Sequence, residues 1–572
     1  MKNEEIAHIF SIIAVYLQMK DESSFRIRAY EKAALQIGSM VTELSDVYKK
    51  GGLEALMEIP GIGEALAEKI EEMIKTGRLK FYEKLKKEVP VDVEELDRIE
   101  GIGPKTILVL YKKLKIKNIK DLEKAAKQGK IRQIKDFGER SEGKILKGIS
   151  FLKKSHGRYL LGHVFPMIKD IESRLKNLPY VETAIVAGST RRMKETIGDV
   201  DILAISKHPK KVMNYFTKMP EVINIIGKGE TKSSVKLENG IDVDLRVVKK
   251  NSYGSALNYF TGSKDHNVAL RRIALQKNLK LSEYGVFRGE KQVAGRIEKE
   301  VYKILGLRYI EPELRENNGE IEAARKNRLP KLIKYNDLKG DLQIQTNWTD
   351  AANTIEEMAG AAKDEGLDYI VITDHTKSLA MANGLDEKRL RKQGKEIDKI
   401  NKKINNFTIL KGAEVNIKKD GSLDITDKVL SQLDVVGIAI HSNFNMSSSE
   451  MTKRIIKAME NPNADILFHP TGRLIQRREA YEVDMEKIID TAKETGTIPE
   501  INALPERLDL NAEHIRMAVR SGVKLAINSD AHKKSHLKYL KFGIAQARRG
   551  WAEKKDIINA WPLKKMLKMI KS

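Results

Sequence analysis

The spacing of hydrophobic and polar positions changes four times along the chain. Residues 1–150 read as short helices separated by tight glycine turns, without strands. Between residues 180 and 250 the pattern becomes β-rich, with runs at Ala184-Ile185-Val186-Ala187, Val200 to Ile205 and Ile241 to Val248. Helical spacing returns near Asn267–Asn278. Glu311–Pro330 is polar, lacks a sustained apolar pattern and reads as a connector. From about Tyr335, short apolar strands alternate with helices: Tyr369 to Ile372, Thr408 to Leu410, Val435 to Ile440, Ile466 to Phe468 and Lys524 to Ile527. Repeated βα units predict a parallel sheet or barrel, with active residues at the C-terminal ends of its strands.

Composition narrows the class. With 572 residues the chain is long enough for several domains, each with its own core. No run of eighteen apolar residues predicts a membrane span, and MKNEEIAHIF lacks a signal-peptide pattern. The absence of cysteine excludes disulfides and thiolate metal sites, which fits a cytoplasmic protein. The formal net charge is +24; residues 336–572 hold 39 basic and 34 acidic side chains, which leaves +19 for residues 1–335. That asymmetry points to a polyanion, nucleic acid first, as partner of the first part. A thermophile's surface would give a similar excess, so the motifs must decide.

The sharpest of them is a set of aspartates. Asp199 and Asp201 flank Val200, so on a strand their carboxylates share a face. Asp242 and Asp244 repeat that spacing in Ile241-Asp242-Val243-Asp244-Leu245-Arg246, and either could be the third ligand of an oxygen-rich Mg²⁺ cage. Gly188-Ser189-Thr190-Arg191-Arg192 lies just upstream and offers small residues and cations for phosphate. Metal-holding carboxylates beside phosphate donors suggest two-metal phosphoryl transfer. A lone D-x-D would more often be an acidic surface turn.

Two glycine hairpins precede this region. Ile59-Pro60-Gly61-Ile62-Gly63 leads into a predicted helix over Glu64–Lys75, and Ile99-Glu100-Gly101-Ile102-Gly103 into one over Pro104–Lys115. Such turns expose backbone N–H groups at a helix N-terminus, which can bind a DNA phosphate without reading sequence. Gly61, Gly63, Gly101 and Gly103 are therefore candidate DNA-binding positions.

Gly188-Ser189 followed by Gly198-Asp199-Val200-Asp201 resembles the nucleotidyltransferase signature, and Tyr259-Phe260-Thr261-Gly262-Ser263 resembles the sugar-facing segment of family X DNA polymerases, the group of DNA polymerase beta. With both hairpins, the resemblance covers nearly all of residues 1–315. It implies a helix-hairpin-helix N-terminal region and an α/β nucleotidyltransferase palm with a thumb. Asp199 and Asp201 would hold both Mg²⁺ or Mn²⁺ ions. Asp244, which the family's spacing to Tyr259 selects over Asp242, would complete one site and help activate the primer 3′-hydroxyl. Ser189 and Arg192 would hold the triphosphate, with Arg158 reaching its far end. Tyr259, Phe260 and Gly262 would line the sugar pocket; Asn267 would contact the incoming base and Arg271 the template strand. Lys69 aligns with the Schiff-base lysine of the beta-type lyase, with Arg26 and Tyr30 as its support, although Ala65 stands where that family has a phosphate-binding lysine.

The last third carries metal-ligand types at the ends of its predicted strands: Thr373-Asp374-His375, Glu414, His441, His469 and Ser529-Asp530-Ala531-His532. Clusters of this kind suit Mn²⁺ or Zn²⁺. They resemble the PHP domain fused to bacterial and archaeal PolX enzymes, which implies a distorted (β/α) barrel with 3′→5′ exonuclease, AP endonuclease or 3′-phosphatase activity. One metal would take Glu414, His441 and His469, and another Asp350, His375 and His532. The remaining set, Glu414 and Asp530, lacks two imidazoles: where the family has Asp-Leu-His-x-His, this chain has Asp341-Leu342-Gln343-Ile344-Gln345.

The expected divisions are a lyase-like domain at 1–85, a fingers-like domain at 86–155, the palm at 156–250, a dNTP-selecting thumb at 251–315, a linker at 316–335 and the PHP domain at 336–572. The expected function is template-dependent, gap-filling DNA repair synthesis on gapped or primed DNA with dNTPs, by a cytoplasmic monomer with no membrane partner. A nuclease-centred repair protein that uses the palm as a platform, or a template-independent nucleotidyltransferase, would be the alternatives.

Overall fold

The computed structural model describes residues 1–570 other than Lys2, Val41, Arg98, Glu100, Gly101, Lys135, Asp136 and His156. The chain forms two compact units. One comprises Met1–His156 with the short segments Ala351–Thr354 and Gln476–Glu479, and the other holds the rest.

The first unit is helical, from Asn3–Met19 through Glu139–Ser155. Its core gathers one apolar face from nearly every helix, including Phe10, Ile37, Leu56, Ile70, Leu96, Leu110 and Leu122. Both predicted hairpins precede helices, Glu64–Thr76 and Pro104–Leu114. In each, the apolar residues beside the glycines are buried: Ile59 and Ile62 in one, Ile99 and Ile102 in the other. Gly61 has φ +85°, which favours glycine, and open space surrounds the Cβ directions of Gly61, Gly63 and Gly103. Gly101 lies outside the described residues.

The second unit holds two sheets that matter for chemistry. Five palm strands run Val181–Val186 (β1), Asp199–Ser206 (β2), Val222–Lys228 (β3), Lys232–Leu237 (β4) and Asp242–Val248 (β5). Their spatial order is β1-β2-β5-β4-β3, and only the central pair β2 and β5 is parallel. Alternation sends Val200, Ile202, Ala204, Val243 and Leu245 into one core and leaves the aspartates on the opposite face. The helices Tyr253–Thr261 and Lys264–Gln276 follow, and then a three-stranded antiparallel sheet between Lys280 and Ala294.

Glu311–Pro330 is more than a connector. It forms the helix Glu320–Arg325, and Leu314, Ile321 and Ala324 join the core of the preceding helices. Its polar look is accounted for by buried polar contacts: Arg315 Nη1 pairs with Glu298 at 2.6 Å, and His266 Nδ1 hydrogen-bonds Glu320 at 2.6 Å.

Seven parallel strands complete the unit: Gly340–Ile344 (β6), Tyr369–Ile372 (β7), Thr408–Asn416 (β8), Val435–Ala439 (β9), Ile466–Leu467 (β10), Ile498–Asn502 (β11) and Ala526–Asn528 (β12). They are ordered as in the sequence, and the chain leaving β6 bonds to the chain leaving β12, with Gln345 N donating to Ala531 O at 2.9 Å. The result is a nearly closed barrel with helices outside, the geometry of a PHP domain. Palm and barrel share a core, because Leu508 and Phe542 pack into the palm cluster. Gly162 permits this contact: a Cβ there would lie 2.3 Å from Pro505. Among the described residues no helix is long and apolar enough to cross a membrane.

Candidate functional site

The β2–β5 register sets Asp199 abreast of Asp242 and Asp201 abreast of Asp244. The two candidates for the third carboxylate have different surroundings. Asp242 faces Lys236 on β4 and pairs with it. Asp244 accepts Lys232 Nζ at 2.9 Å and sits opposite Ser234. Burial drives the Asp201 carboxyl up to about 6, and the charges of Asp199 and then Asp244 push in the same direction. Asp244 is held below the usual carboxylate range, because hydrogen bonds from Ser234 and Lys232 outweigh its burial. Three crowded carboxylates of which one resists ionisation form a donor set that a divalent cation relieves. The residues present therefore fit the metal that this fold implies.

Gly188 brings the phosphate-side turn against this cluster. It ends the β1 connection with φ +61°, and an added Cβ would lie 2.8 Å from Asp201 Oδ2. Ser189 follows in the four-residue helix Gly188–Arg191. Gly188→Ala is expected to displace the Asp201 carboxylate and cut catalytic turnover about a hundredfold, as an ångström-scale misplacement does. Steady-state kinetics beside a melting curve checks this, and near-normal turnover in a folded variant would contradict it.

Arg192 connects the cluster to a cavity of about 250 Å³ lined by Arg192, Tyr259, Phe260, Gly262, Asn267 and Arg271 together with Ser263 and Lys264. Its Nη1 donates to the carbonyl oxygens of Thr261 and Gly262, each at 2.7 Å, and its Nε to Glu316 at 3.0 Å. Asn267 Nδ2 donates to Tyr259 O at 2.6 Å. Ser263 caps the helix that carries Asn267 and Arg271 by accepting from His266 N. Arg158 lies outside this lining; its guanidinium donates to Thr196 on the segment between Arg192 and Asp199. Lys232, Ser234 and Arg246 belong to the site as well, and Arg246 stacks 4.7 Å over the Phe260 ring. Arg246 is the next outward residue after Asp244, whereas Lys232 and Ser234 open a short strand whose first inward position is the polar Ser233, so only Val235 and Leu237 mark its alternation.

In the helical unit, Lys69 Nζ donates to Ala65 O at 2.7 Å and lies 5.5 Å from the centre of the Phe81 ring. Arg26 and Tyr30 meet the same ring, at 5.2 and 6.2 Å. Burial lowers the Lys69 amine, which favours its nucleophilic neutral form.

The barrel gathers its predicted ligands at the C-terminal strand ends. Ligand atoms of Asp350, His375 and His532 lie within 4.8 Å of one another, as do those of His375, Glu414 and His441. His441 Nε2 and His469 Nε2 each lie 2.9 Å from Glu414 Oε1. Burial would raise Glu414, but the facing charge of His375 and hydrogen bonds from His441 and His469 hold it well below the ordinary range. Carboxylate and imidazole donors here fit two ions.

The remaining set does not fit a third. Gln343 Nε2 and Gln345 Nε2 donate to Glu414 Oε2 at 3.1 and 2.8 Å, while Gln343 Oε1 accepts from Asn502 at 3.3 Å. Asp530 Oδ2 accepts from Asn502 at 3.1 Å and faces Arg507 Nε at 3.5 Å. N–H groups converge where a cation would need lone pairs. Glu500 and Asn502, which point the same way at the end of β11, complete this network. Their i, i+2 spacing is the signal that found Asp199 and Asp201, but here the pattern went unread.

Comparisons with known proteins agree with this architecture. Residues 1–79 match a helix-hairpin-helix domain, residues 93–150 a SAM-like helix-hairpin-helix tandem and residues 256–316 the DNA polymerase beta thumb. The chain is 38% identical over 571 residues to the DNA polymerase/3′-5′ exonuclease PolX of Bacillus subtilis (strain 168), covering 99% of this chain and 98% of that protein. A protein of Thermoanaerobacter sp. (strain X514) described as a "probable phosphatase" is 34% identical over 195 residues, which is 32% of this chain and 74% of that protein. One from Caldicellulosiruptor saccharolyticus with the same description is 32% identical over 202 residues, 33% of this chain and 77% of that protein.

Proposed function

The chain belongs to the PolX family, and on that premise we propose that it is a gap-filling DNA repair polymerase that copies a template and also carries a PHP-centred 3′→5′ exonuclease. As a member of that family it acts on DNA and dNTPs and uses divalent metal ions. The observation that carries the polymerase reading is the Asp199–Asp201–Asp244 cluster beside the cavity of Arg192, Tyr259 and Asn267. Mg²⁺ or Mn²⁺ held by those carboxylates would neutralise charge on the reacting phosphates and acidify the primer 3′-hydroxyl.

The chain's own groups do the rest. Ser189 and Arg192 receive the triphosphate, and Arg158, now bonded to Thr196, would have to leave that partner to reach its far end. Tyr259, Phe260 and Gly262 form the sugar wall that disfavours a 2′-hydroxyl, and Gly262 lets the wall pack closely on Asn267, whose amide would lie 2.4 Å from a Cβ at that position. Asn267 meets the base and Arg271 the template strand. The open backbone at Gly61, Gly63 and Gly103 supports phosphate binding by the helical unit. In this reading residues 1–85 are the lyase-like domain, 86–155 the fingers-like domain, 156–250 the palm, 251–315 the thumb and 336–572 the PHP domain. Residues 316–335 form a packed junction in place of a loose linker. Incorporation into a one-nucleotide gap, set against a single strand without template, tests the proposal. Extension of the single strand alone would instead mark a template-independent transferase.

Lys69 supports a second activity, removal of a 5′-deoxyribose phosphate through an imine. Borohydride is expected to trap the wild-type protein on a 5′-incised abasic substrate and to trap Lys69→Ala at least about tenfold less, because the amine is the nucleophile. Equal trapping of the variant would remove Lys69 from that role. At the barrel, Mn²⁺ or Zn²⁺ on the two intact ligand sets is the proposed occupancy.

A further inference from the structure

The segment that joins Arg192 to Asp199 is held from two sides. On the palm side, Leu161 N donates to Glu195 O at 3.0 Å, and Tyr159–Leu160 pairs with Thr196–Ile197. On the other side, three side chains of the barrel domain reach it. Arg473 forks onto Glu195, with Nη2–Oε1 at 2.7 Å and Nη1–Oε2 at 3.3 Å, and the Gln546 amide donates to the same Oε1. Arg549 Nη1 donates to the carbonyl oxygen of Arg192 at 3.0 Å and to Glu316 Oε1 at 3.3 Å. Glu316 Oε1 is also the acceptor of Arg192 Nε at 3.0 Å, with Lys194 Nζ at 3.9 Å. These are not rim contacts, because the Arg549, Arg192 and Arg473 side chains are 9%, 14% and 16% exposed.

We infer that Arg549, Arg473 and Gln546 are positioning residues for the triphosphate segment of the polymerase, and that Glu316 holds Arg192 until an incoming triphosphate takes its place. The last third of the chain thereby sets dNTP affinity at a site to which it contributes no ligand. This inference rests on the polymerase reading of Arg192.

The geometry supplies both halves of the argument. Arg192 Nη1 is fixed on Thr261 and Gly262, so the guanidinium stays aimed at the cavity whichever acid occupies its remaining donors. A triphosphate presents more charge and more acceptor oxygens than one carboxylate and displaces it. Glu316 then keeps Arg549 and Lys194 as partners, so its charge is not stranded in a half-buried place. Without Arg549, Glu316 would have Arg192 as its chief partner and hold it more tightly, and the carbonyl of Arg192 would lose its anchor.

The test uses the full-length protein, with dNTP KM and kcat on gapped DNA beside equilibrium dNTP binding in Ca²⁺. Arg549→Met is expected to raise KM and weaken binding about tenfold with kcat little changed, the scale of a charge-assisted contact. Arg549→Lys should recover most of that loss. Glu316→Gln should tighten dNTP binding, and the double variant should return toward wild type. An Arg549→Met affinity equal to wild type, or a Glu316→Gln affinity weaker than wild type, overturns the inference. If Arg549→Met does not fold, the sign of the Glu316→Gln change decides. Failure of the wild type to extend primers overturns the polymerase reading instead, while the Ca²⁺ binding series still judges this one.

Discussion

Asp244→Ala abolishes Mg²⁺- or Mn²⁺-dependent primer extension on gapped DNA, a loss expected to exceed about a thousandfold in kcat, whereas Asp242→Ala stays within about threefold of wild type. The contrast rests on three observations. Asp244 lies abreast of Asp201 on the two central parallel strands, and its charge contributes to raising Asp201, whereas Asp242 does not figure among the main influences on that carboxyl. Asp242 lies one pair nearer the start of β5, abreast of Asp199, with Lys236 directly opposite it on β4. Asp244 has Lys232 and Ser234 to keep it ionised, the state in which it can accept a proton or hold a cation. Single-turnover extension with saturating dNTP reads the chemical step for both variants. Retained extension by Asp244→Ala, or a loss in Asp242→Ala as deep as that in Asp244→Ala, would reverse the assignment.

The second large effect concerns the barrel. Metal analysis of the purified protein is expected to find two ions at this centre instead of three. Gln343→His with Gln345→His should add one ion and raise Mn²⁺-dependent 3′→5′ exonuclease activity about tenfold or more. The reason is the direction of the hydrogen bonds. The two glutamine amides donate into Glu414 Oε2, so they occupy lone pairs that a cation would use and offer in return only neutral amide oxygens, of which Gln343 Oε1 is already taken by Asn502. Imidazoles at both positions would withdraw two N–H donors and add two lone pairs. Three ions in the wild type would refute the argument, as would a double variant that gains neither an ion nor activity. The count itself is the readout, so the result does not depend on which nucleic-acid end the centre prefers.

Much of this site could be read from the sequence, and the unread parts share a physical cause. Alternation exposed Asp199 and Asp201, and the βα rhythm placed His375, Glu414, His441 and Asp530 at strand ends, because both signals are local and periodic. Strand β3 was missed: Val222–Lys228 is the outer strand of its sheet, mostly exposed, and carries no buried face to leave a pattern. Strand β11 was missed because its five residues, IPEIN, are all buried and include a proline and two polar side chains. Glu311–Pro330 looked like a loose connector because polar side chains are buried in it through specific partners, Arg315 paired with Glu298 and Glu320 hydrogen-bonded to His266. Arg549 and Glu316 have no sequence signal at all, since their partners lie hundreds of residues away or across an interface.

The packing of Gly162 against Pro505, with Leu508 and Phe542 inside the palm core, makes the two enzymes of this chain share one fate. A lesion that loosens the barrel drains folded polymerase along with it, even when every palm residue is intact. Loss of the last third by nicking or truncation would leave the palm with a raw apolar flank. Inheritance therefore acts on synthesis and hydrolysis as a single trait, and neither can be exchanged for a foreign module without recutting the other.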